Sequence, residues 1–265
     1  MRQIEVIMPK ISDLLQRSWA PILVLLSLSA CAGIDRQLMP APNLYTAPDS
    51  PPLFKDLPEE LENSNIDLLY VTDREPQTDS DDGLNYGYGR SRSAAFGSAV
   101  VAIRPHMDWK DLERVSIERD RSTRLTLEMI SIEERDRFAE TPGEVVRVDG
   151  QSRYATDFLE TNRKATEAFR REILQRLALA PKDEVLIFIH GFNNDFDDAA
   201  YTLAELWHYM GRQHVPILYT WPAGRGGPSG YIYDRESGEF TVYHLKNLIR
   251  TISAIPEIKS FHMIG

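Results

Sequence analysis

Cysteine occurs once in the 265 residues, at Cys31. A single cysteine excludes an intramolecular disulfide whatever the compartment. No Cys/His spacing matches a zinc pattern, so the motifs imply no metal and no cofactor. Positive charge is also short: 30 Lys and Arg face 40 Asp and Glu, giving a formal net charge of −10 and a pI near 5.2. A nucleic-acid binder needs a basic stripe, so no nucleic-acid partner is expected. The apolar run at residues 20–30 has about half of the roughly 20 residues that a membrane span requires. Internal repeats are missing. What the chain does have is 42% hydrophobic residues, ample for one domain with a sizeable core.

The run at 20–30 is rich in small and apolar residues and follows Lys10 and Arg17. It fits the central region of a secretory signal. It closes on Leu28, Ser29, Ala30 and Cys31, which resembles the lipobox of bacterial lipoproteins. That resemblance implies cleavage before Cys31, a lipid on that cysteine, and a membrane-anchored lipoprotein of the bacterial envelope, on the periplasmic side or in the outer membrane. An ordinary signal peptide with a chance cysteine, or an uncleaved short anchor, are the alternatives. Residues 1–30 are therefore expected to be a signal peptide. Residues 31–65 carry prolines at 40, 42, 48, 51, 52 and 58 and few periodic apolar positions, which predicts a semi-extended tether bearing the lipidated cysteine. The globular domain is expected at 66–265.

Residues 66–72 and 98–103 read as strands, with a turn at 73–76 and a polar surface loop between them. Short strands are expected at 115–117, 125–129 and 145–148, and a short charged helix at 132–140. Strands without long helices between them imply an antiparallel N-terminal part of the sheet. Phe158, Ala165, Phe169, Ile173 and Leu177 recur at near-helical spacing and predict an amphipathic helix within 152–179.

The stretch that organises the chain is Val185, Leu186, Ile187, Phe188 and Ile189, followed by His190, Gly191 and Phe192. Five apolar residues between polar ends suit a strand buried on both faces, delivering a tight loop to the carboxyl edge of a parallel sheet. A helix is expected over 199–210, a strand over 215–220, a loop over 221–228, a helix over 239–253 and a last strand over 260–265. Strand, loop, helix, strand, helix, strand is a run of parallel βαβ units.

Several motifs then fall into one order: Thr72-Asp73-Arg74, Tyr88-Gly89 with Arg92, Phe96-Gly97, the run from Phe188 to Asn194, Thr220 to Gly224, and Tyr231 to Ser237. In that order the chain resembles a bacterial family of α/β-hydrolases of unknown function, esterase- or lipase-like. The resemblance implies an α/β fold: an α/β-hydrolase-like, mostly parallel sheet with helices on both faces and antiparallel N-terminal strands, incomplete at the C-terminus. It implies that His190, Gly191, Phe192 and Asn193 form an oxyanion loop, with the Phe192 N–H as a donor, and that Gly265 opens a Gly-x-Ser-x-Gly nucleophile elbow. The serine would fall two residues beyond Gly265, and the acid and the base histidine later still. The 265-residue chain is therefore expected to be a partial domain without catalysis of its own. Its last strand would be central in a complete sheet, leaving an apolar edge here. The implied substrate is a small-molecule or lipid ester. Because the base follows the nucleophile in this fold, His190 is expected to hold the loop. Asn193 and Asn194 either orient the loop or cap the next helix.

Two further motifs have plainer explanations. Asp195, Asp197 and Asp198 lack the later Glu of an EF-hand and suit N-capping. Gly224, Gly226 and Gly227 lack the Gly-Lys-Ser/Thr ending of a phosphate loop. His106, His208, His214, His244 and His262 are scattered and read as structural or exposed. Trp207, Trp221 and Tyr231 either line an acyl pocket or pack in the core. Two functions remain open: a serine hydrolase, or a non-catalytic envelope lipoprotein that binds a ligand or partner.

Overall fold

The computed structural model describes residues 36–45, 49–77, 83–118 and 120–265. The signal segment and Cys31 lie outside the described residues. No helix among the described residues is long and apolar enough to cross a membrane.

Among the described residues seven strands form one mixed sheet in the order β1-β4-β3-β2-β8-β7-β9. They are β1 (Arg36–Gln37), β2 (Asn65–Gln77), β3 (Asn85–Arg104), β4 (Thr126–Arg137), β7 (Glu184–Ile189), β8 (Val215–Thr220) and β9 (Ser260–Ile264). β5 (Val145–Val148) and β6 (Gln151–Tyr154) make a separate hairpin. Pairing is antiparallel from β1 through β4 and β3 to β2, and parallel from β2 through β8 and β7 to β9. The sheet thus divides into an antiparallel N-terminal half and a parallel C-terminal half.

Among the described residues four helices cover its two faces: α1 (Trp109–Ile117), α2 (Thr156–Leu177), α3 (Phe196–Tyr209) and α4 (Gly230–Ser253). Strand alternation sends Leu68, Tyr70, Leu186, Phe188 and Leu218 to one face, where Ala199, Leu203 and Ala204 of α3 and Leu112 of α1 meet them. Leu69, Val71, Val185, Ile187 and Ile217 point the other way, onto Ala165, Phe169 and Ile173 of α2 and Leu248 and Ile252 of α4. Burial on both faces explains why these strands read as unbroken apolar runs.

The antiparallel half departs from expectation. Residues 73–77 and 85–97, expected as a turn and part of a polar loop, are extensions of strands: β2 runs to Gln77 and β3 begins at Asn85. Register shifts near Arg74 and Pro76 bend the pair without ending it. Tyr86, inside the expected loop, is buried and its hydroxyl lies 3.0 Å from that of Tyr70. Residues 115–117 are helical, because the Asp108 side chain caps α1 by accepting from the Asp111 N–H at 2.9 Å. Residues 132–137 continue β4 rather than forming a helix, with their charges on a half-exposed strand. In the parallel half α4 starts nine residues earlier than the expected 239, at Gly230, and α3 three residues earlier, at Phe196.

Residues 36–45 and 49–65 are docked rather than extended. Arg36 and Gln37 pair with β4, and Leu38, Ala41, Leu53 and Phe54 enter the core. The fully buried Arg212 holds this segment by donating to the carbonyls of Leu61 (2.7 Å) and Asn63 (2.8 Å), with its guanidinium 5.0 Å from the Trp109 ring. A proline-rich composition masked apolar residues that have a partner surface. At the other edge, β9 leaves Met263 and Ile264 exposed.

Candidate functional site

The strands β7 and β8 end where β2 passes Thr72 and runs on, and the loops after β7 and β8 meet there. At their centre is Arg74, a fully buried arginine on β2. Its Nε–H donates to Thr220 Oγ1 (2.8 Å), Nη1 to the carbonyls of Ala223 (2.8 Å) and Gly87 (3.1 Å), and Nη2 to the carbonyl of Asn194 (2.8 Å). Nη2 also lies 3.2 Å from His190 Nε2. Burial pushes the guanidinium pKa down to about 10, opposed by nearby Asp195, Asp73 and Asp234, so it stays charged at neutral pH. Its donors engage carbonyls of two loops and of strand β3.

His190 is fixed as a neutral ring. Its Nε2 accepts from the Trp221 N–H at 3.0 Å, which can only donate, so the ring proton sits on Nδ1 and is donated to the Gly191 carbonyl at 2.8 Å. The ring stacks on Trp221 with centroids 5.1 Å apart, and the Trp221 indole N–H returns a bond to the His190 carbonyl at 2.7 Å. Burial, then the charge of Arg74, drives its pKa down to about 4. A ring with both nitrogens engaged and such a low pKa holds a loop and is poorly placed to shuttle protons.

Beyond His190 the chain turns through Gly191 and Phe192 into Asn193, which adopts a left-handed φ of 56°. The Asn193 N–H donates to Asp234 Oδ2 at 2.9 Å, and the Asn194 amide donates to the Phe192 carbonyl at 2.9 Å. Both asparagines shape the loop, while the cap of α3 is Asp195, which accepts from the Asp198 N–H at 2.8 Å. Among the described residues no hydrogen bond engages the Phe192 N–H. The Phe192 ring is about half exposed and meets Tyr231 edge-on at 5.4 Å.

Asp234, in the first turns of α4, also accepts from the Gly224 N–H at 3.3 Å. It therefore joins the loop after β7 to the loop after β8. Gly224 has φ 88°, and a Cβ there would come within 2.9 Å of the Asn194 carbonyl, so the two loops can approach only at a glycine. Gly265, at the end of β9, lies beside the end of β7: a Cβ on it would sit 3.4 Å from the Ile189 carbonyl.

His190, Gly191, Phe192, Asn193 and Gly265 are thus gathered at one corner of the sheet. Of the aromatic pocket candidates, Tyr231 is at this corner and exposed, and Trp221 braces His190. Trp207 is buried elsewhere, donating to the His214 carbonyl at 2.6 Å. Among the described residues serine contacts histidine at Ser64–His106 (3.0 Å) and at the buried Ser116–His208 (2.8 Å). In the second pair the other ring nitrogen faces Arg212 at 3.1 Å, where a triad needs a carboxylate. No group of three metal-ligating side chains lies at this corner among the described residues; Glu184, His214 and His262 meet at the opposite end of the strands.

Sequence reasoning placed Arg74 in a turn and passed over Asp234 as part of a motif. The available signal was the pairing of Thr72-Asp73-Arg74 with a strand that runs through them.

A parallel βαβ run, a His-Gly loop at its carboxyl edge and a glycine closing the next strand define an α/β-hydrolase fold. Residues 165–265, from within α2 through β9, match the family model described as alpha/beta hydrolase of unknown function (DUF900). No curated protein and no solved structure matches the chain.

Proposed function

We propose that the protein is a serine hydrolase of the α/β-hydrolase type acting on carboxylic esters, with residues 190–193 as one half of its oxyanion site. The observation that carries this reading is the meeting of the His190–Asn193 loop with Gly265 at neighbouring strand ends, the juxtaposition from which a nucleophile elbow would face the Phe192 N–H. The exposed side chains of Phe192, Tyr231 and Ile232 offer an apolar surface for an acyl chain. In this reading the nucleophile, acid and base follow Gly265 in the order Ser, Asp/Glu, His, and turnover by residues 1–265 alone is not expected. The test compares the 265-residue protein with the product of the reading frame continued past codon 265, using nitrophenyl esters of graded chain length. Turnover is expected in the longer form only. In it Phe192→Pro, which removes the N–H, should lower kcat by about 10²–10³-fold, the cost of one oxyanion donor. Hydrolysis by the 265-residue chain, or an unchanged kcat in Phe192→Pro, counts against the reading.

The second reading is a lipoprotein that binds a ligand without chemistry. It is favoured by a cavity of about 320 Å³ between α2 and α4, lined by Val71, Phe138, Phe158, Asn162, His244 and Asn247. Saturable ester binding with no turnover in either form would select it. Under both readings Cys31 carries the lipid. Labelled fatty acid should enter the wild type and not Cys31→Ser; equal labelling removes the anchor from the proposal.

A further inference from the structure

At the end of the strands away from the candidate site, three side chains separated by 30 and 48 residues converge. Glu184 opens β7, His214 immediately precedes β8, and His262 lies in β9. The parallel register sets Leu186 opposite His262 and Val185 opposite Val215. Alternation along each strand then turns Glu184, His214 and His262 to the same face, the one covered by α3. Glu184 Oε2 lies 3.2 Å from His214 Nε2 and 3.2 Å from His262 Nε2, and the three ligand atoms are all within 4.8 Å of one another. The imidazoles meet edge to face, at 78° with centroids 5.6 Å apart, so both Nε2 atoms point at a common space.

We propose that Glu184, His214 and His262 form a binding site for a borderline divalent cation of the Zn²⁺ type. Two imidazole nitrogens and one carboxylate oxygen are a recognised three-ligand zinc set, which leaves a fourth position for water. With metal–ligand bonds near 2.0–2.1 Å, tetrahedral ligands stand roughly 3.3 Å apart. Two of the three separations already have that value, and the exposed His262 ring can rotate to set the third. His214 is held from behind, since its carbonyl accepts from the Trp207 indole and its ring is almost wholly buried. Its Nδ1 is buried without a partner among the described residues, and the residue itself lines a cavity of about 180 Å³. One carboxylate is too few oxygen ligands for Mg²⁺ or Ca²⁺, which fixes the expected selectivity. A bound ion would tie β9, the edge strand, to β7 and β8.

The test uses the 265-residue protein carrying Cys31→Ser, which removes the one thiol. Zn²⁺ is titrated in competition with a chromophoric chelator, and Co²⁺ is followed by its visible absorption. One saturable site is expected, with tetrahedral Co²⁺ bands and no competition from Mg²⁺ or Ca²⁺. His262→Ala and Glu184→Gln should each weaken Zn²⁺ by about tenfold or more, while the exposed His106→Ala leaves it unchanged. His262→Ala alters an exposed ring and its folding is checked by circular dichroism. Zn²⁺ should raise the Tm of the parent and not of that variant. Absence of saturable uptake, uptake that survives both substitutions, or equal affinity for Mg²⁺ overturns the proposal.

Discussion

Asp73 offers a quantitative test of the buried polar layer beneath the candidate site. It lies on β2, fully buried, with Oδ2 accepting from Thr241 Oγ1 at 2.7 Å and from the Tyr219 hydroxyl at 3.3 Å, while Oδ1 has no partner among the described residues. Burial raises its pKa from 3.8 to about 7, against the pull of Thr241, Tyr219 and Arg74. Between those values the native state holds a proton that the unfolded state has lost. The contribution of Asp73 is therefore full below pH 3.8 and lost as pH rises through about 7, a swing of about 4 kcal/mol at 1.36 kcal/mol per pH unit. Asp73→Asn cannot ionise. Its amide oxygen can still accept from Thr241, but its NH₂ replaces the partnerless oxygen and costs about 1–3 kcal/mol as a buried unpaired donor. The variant should thus be less stable than wild type by about 1–3 kcal/mol near pH 4, and more stable by a similar amount near pH 8. Urea unfolding of both proteins across this range measures the difference. His190, with its pKa lowered to about 4, and Asp197, raised to about 6, titrate in both proteins and cancel in the subtraction. A difference that stays flat with pH, or that grows in favour of wild type as pH rises, refutes the reasoning.

Gly97→Ala would drive a Cβ into the Glu133 carbonyl of the neighbouring strand and to 2.8 Å from the Tyr70 hydroxyl. Since backbone cannot yield as a side chain can, a loss of about 1–3 kcal/mol or more is expected by urea unfolding, and an unchanged midpoint would disprove the packing. Arg74→Lys keeps the charge but offers three donors from a single nitrogen where the guanidinium offers five in a fork. Three donors cannot serve Thr220 Oγ1, His190 Nε2 and the carbonyls of Gly87, Ala223 and Asn194 together, so at least two of these contacts are lost, for about 2–4 kcal/mol of stability. Wild-type stability in this variant would show that the fork is not needed.

The parallel half was legible because its signals are local and agree with one another. Val185 to Ile189 are apolar on both faces, Asp195 caps the helix that follows, and Gly211, at φ 73°, stops it. The antiparallel half was not, because its strands run past the core. The outer parts of β3 and β4 are polar and charged, with cross-strand hydrogen bonds such as Tyr86 to Glu134 (2.6 Å) and Arg137 to the Ser93 carbonyl (3.2 Å) taking the place of apolar contacts. Periodicity then reports a loop or a short helix where pairing makes strands. Arg74 was missed for a related reason. A buried arginine has the same sequence signature as a surface one until its acceptors, most of them more than a hundred residues away, are known. The meeting of Glu184, His214 and His262 is likewise a product of register between parallel strands, which no ligand-spacing pattern records.

These misses bear on what the His-Gly loop is. From sequence it is a local turn after a strand. In the structure its shape depends on β2, 116 residues earlier, since Arg74 engages His190 and the Asn194 carbonyl together with the Ala223 carbonyl of the next loop. That arrangement requires His190 to be neutral. A proton on Nε2 would turn it from acceptor to donor against the Trp221 N–H and set a cation beside the guanidinium. The lowered pKa is the thermodynamic form of this constraint: the stabilisation from His190 is present above its unfolded value of 6.5 and is lost as pH falls through about 4. Near neutral pH the ring accepts from Trp221 and donates to Gly191, and the Phe192 N–H is left unengaged by any described residue. The antiparallel half therefore contributes the clamp that keeps such a donor in place, and the parallel half contributes the donor itself.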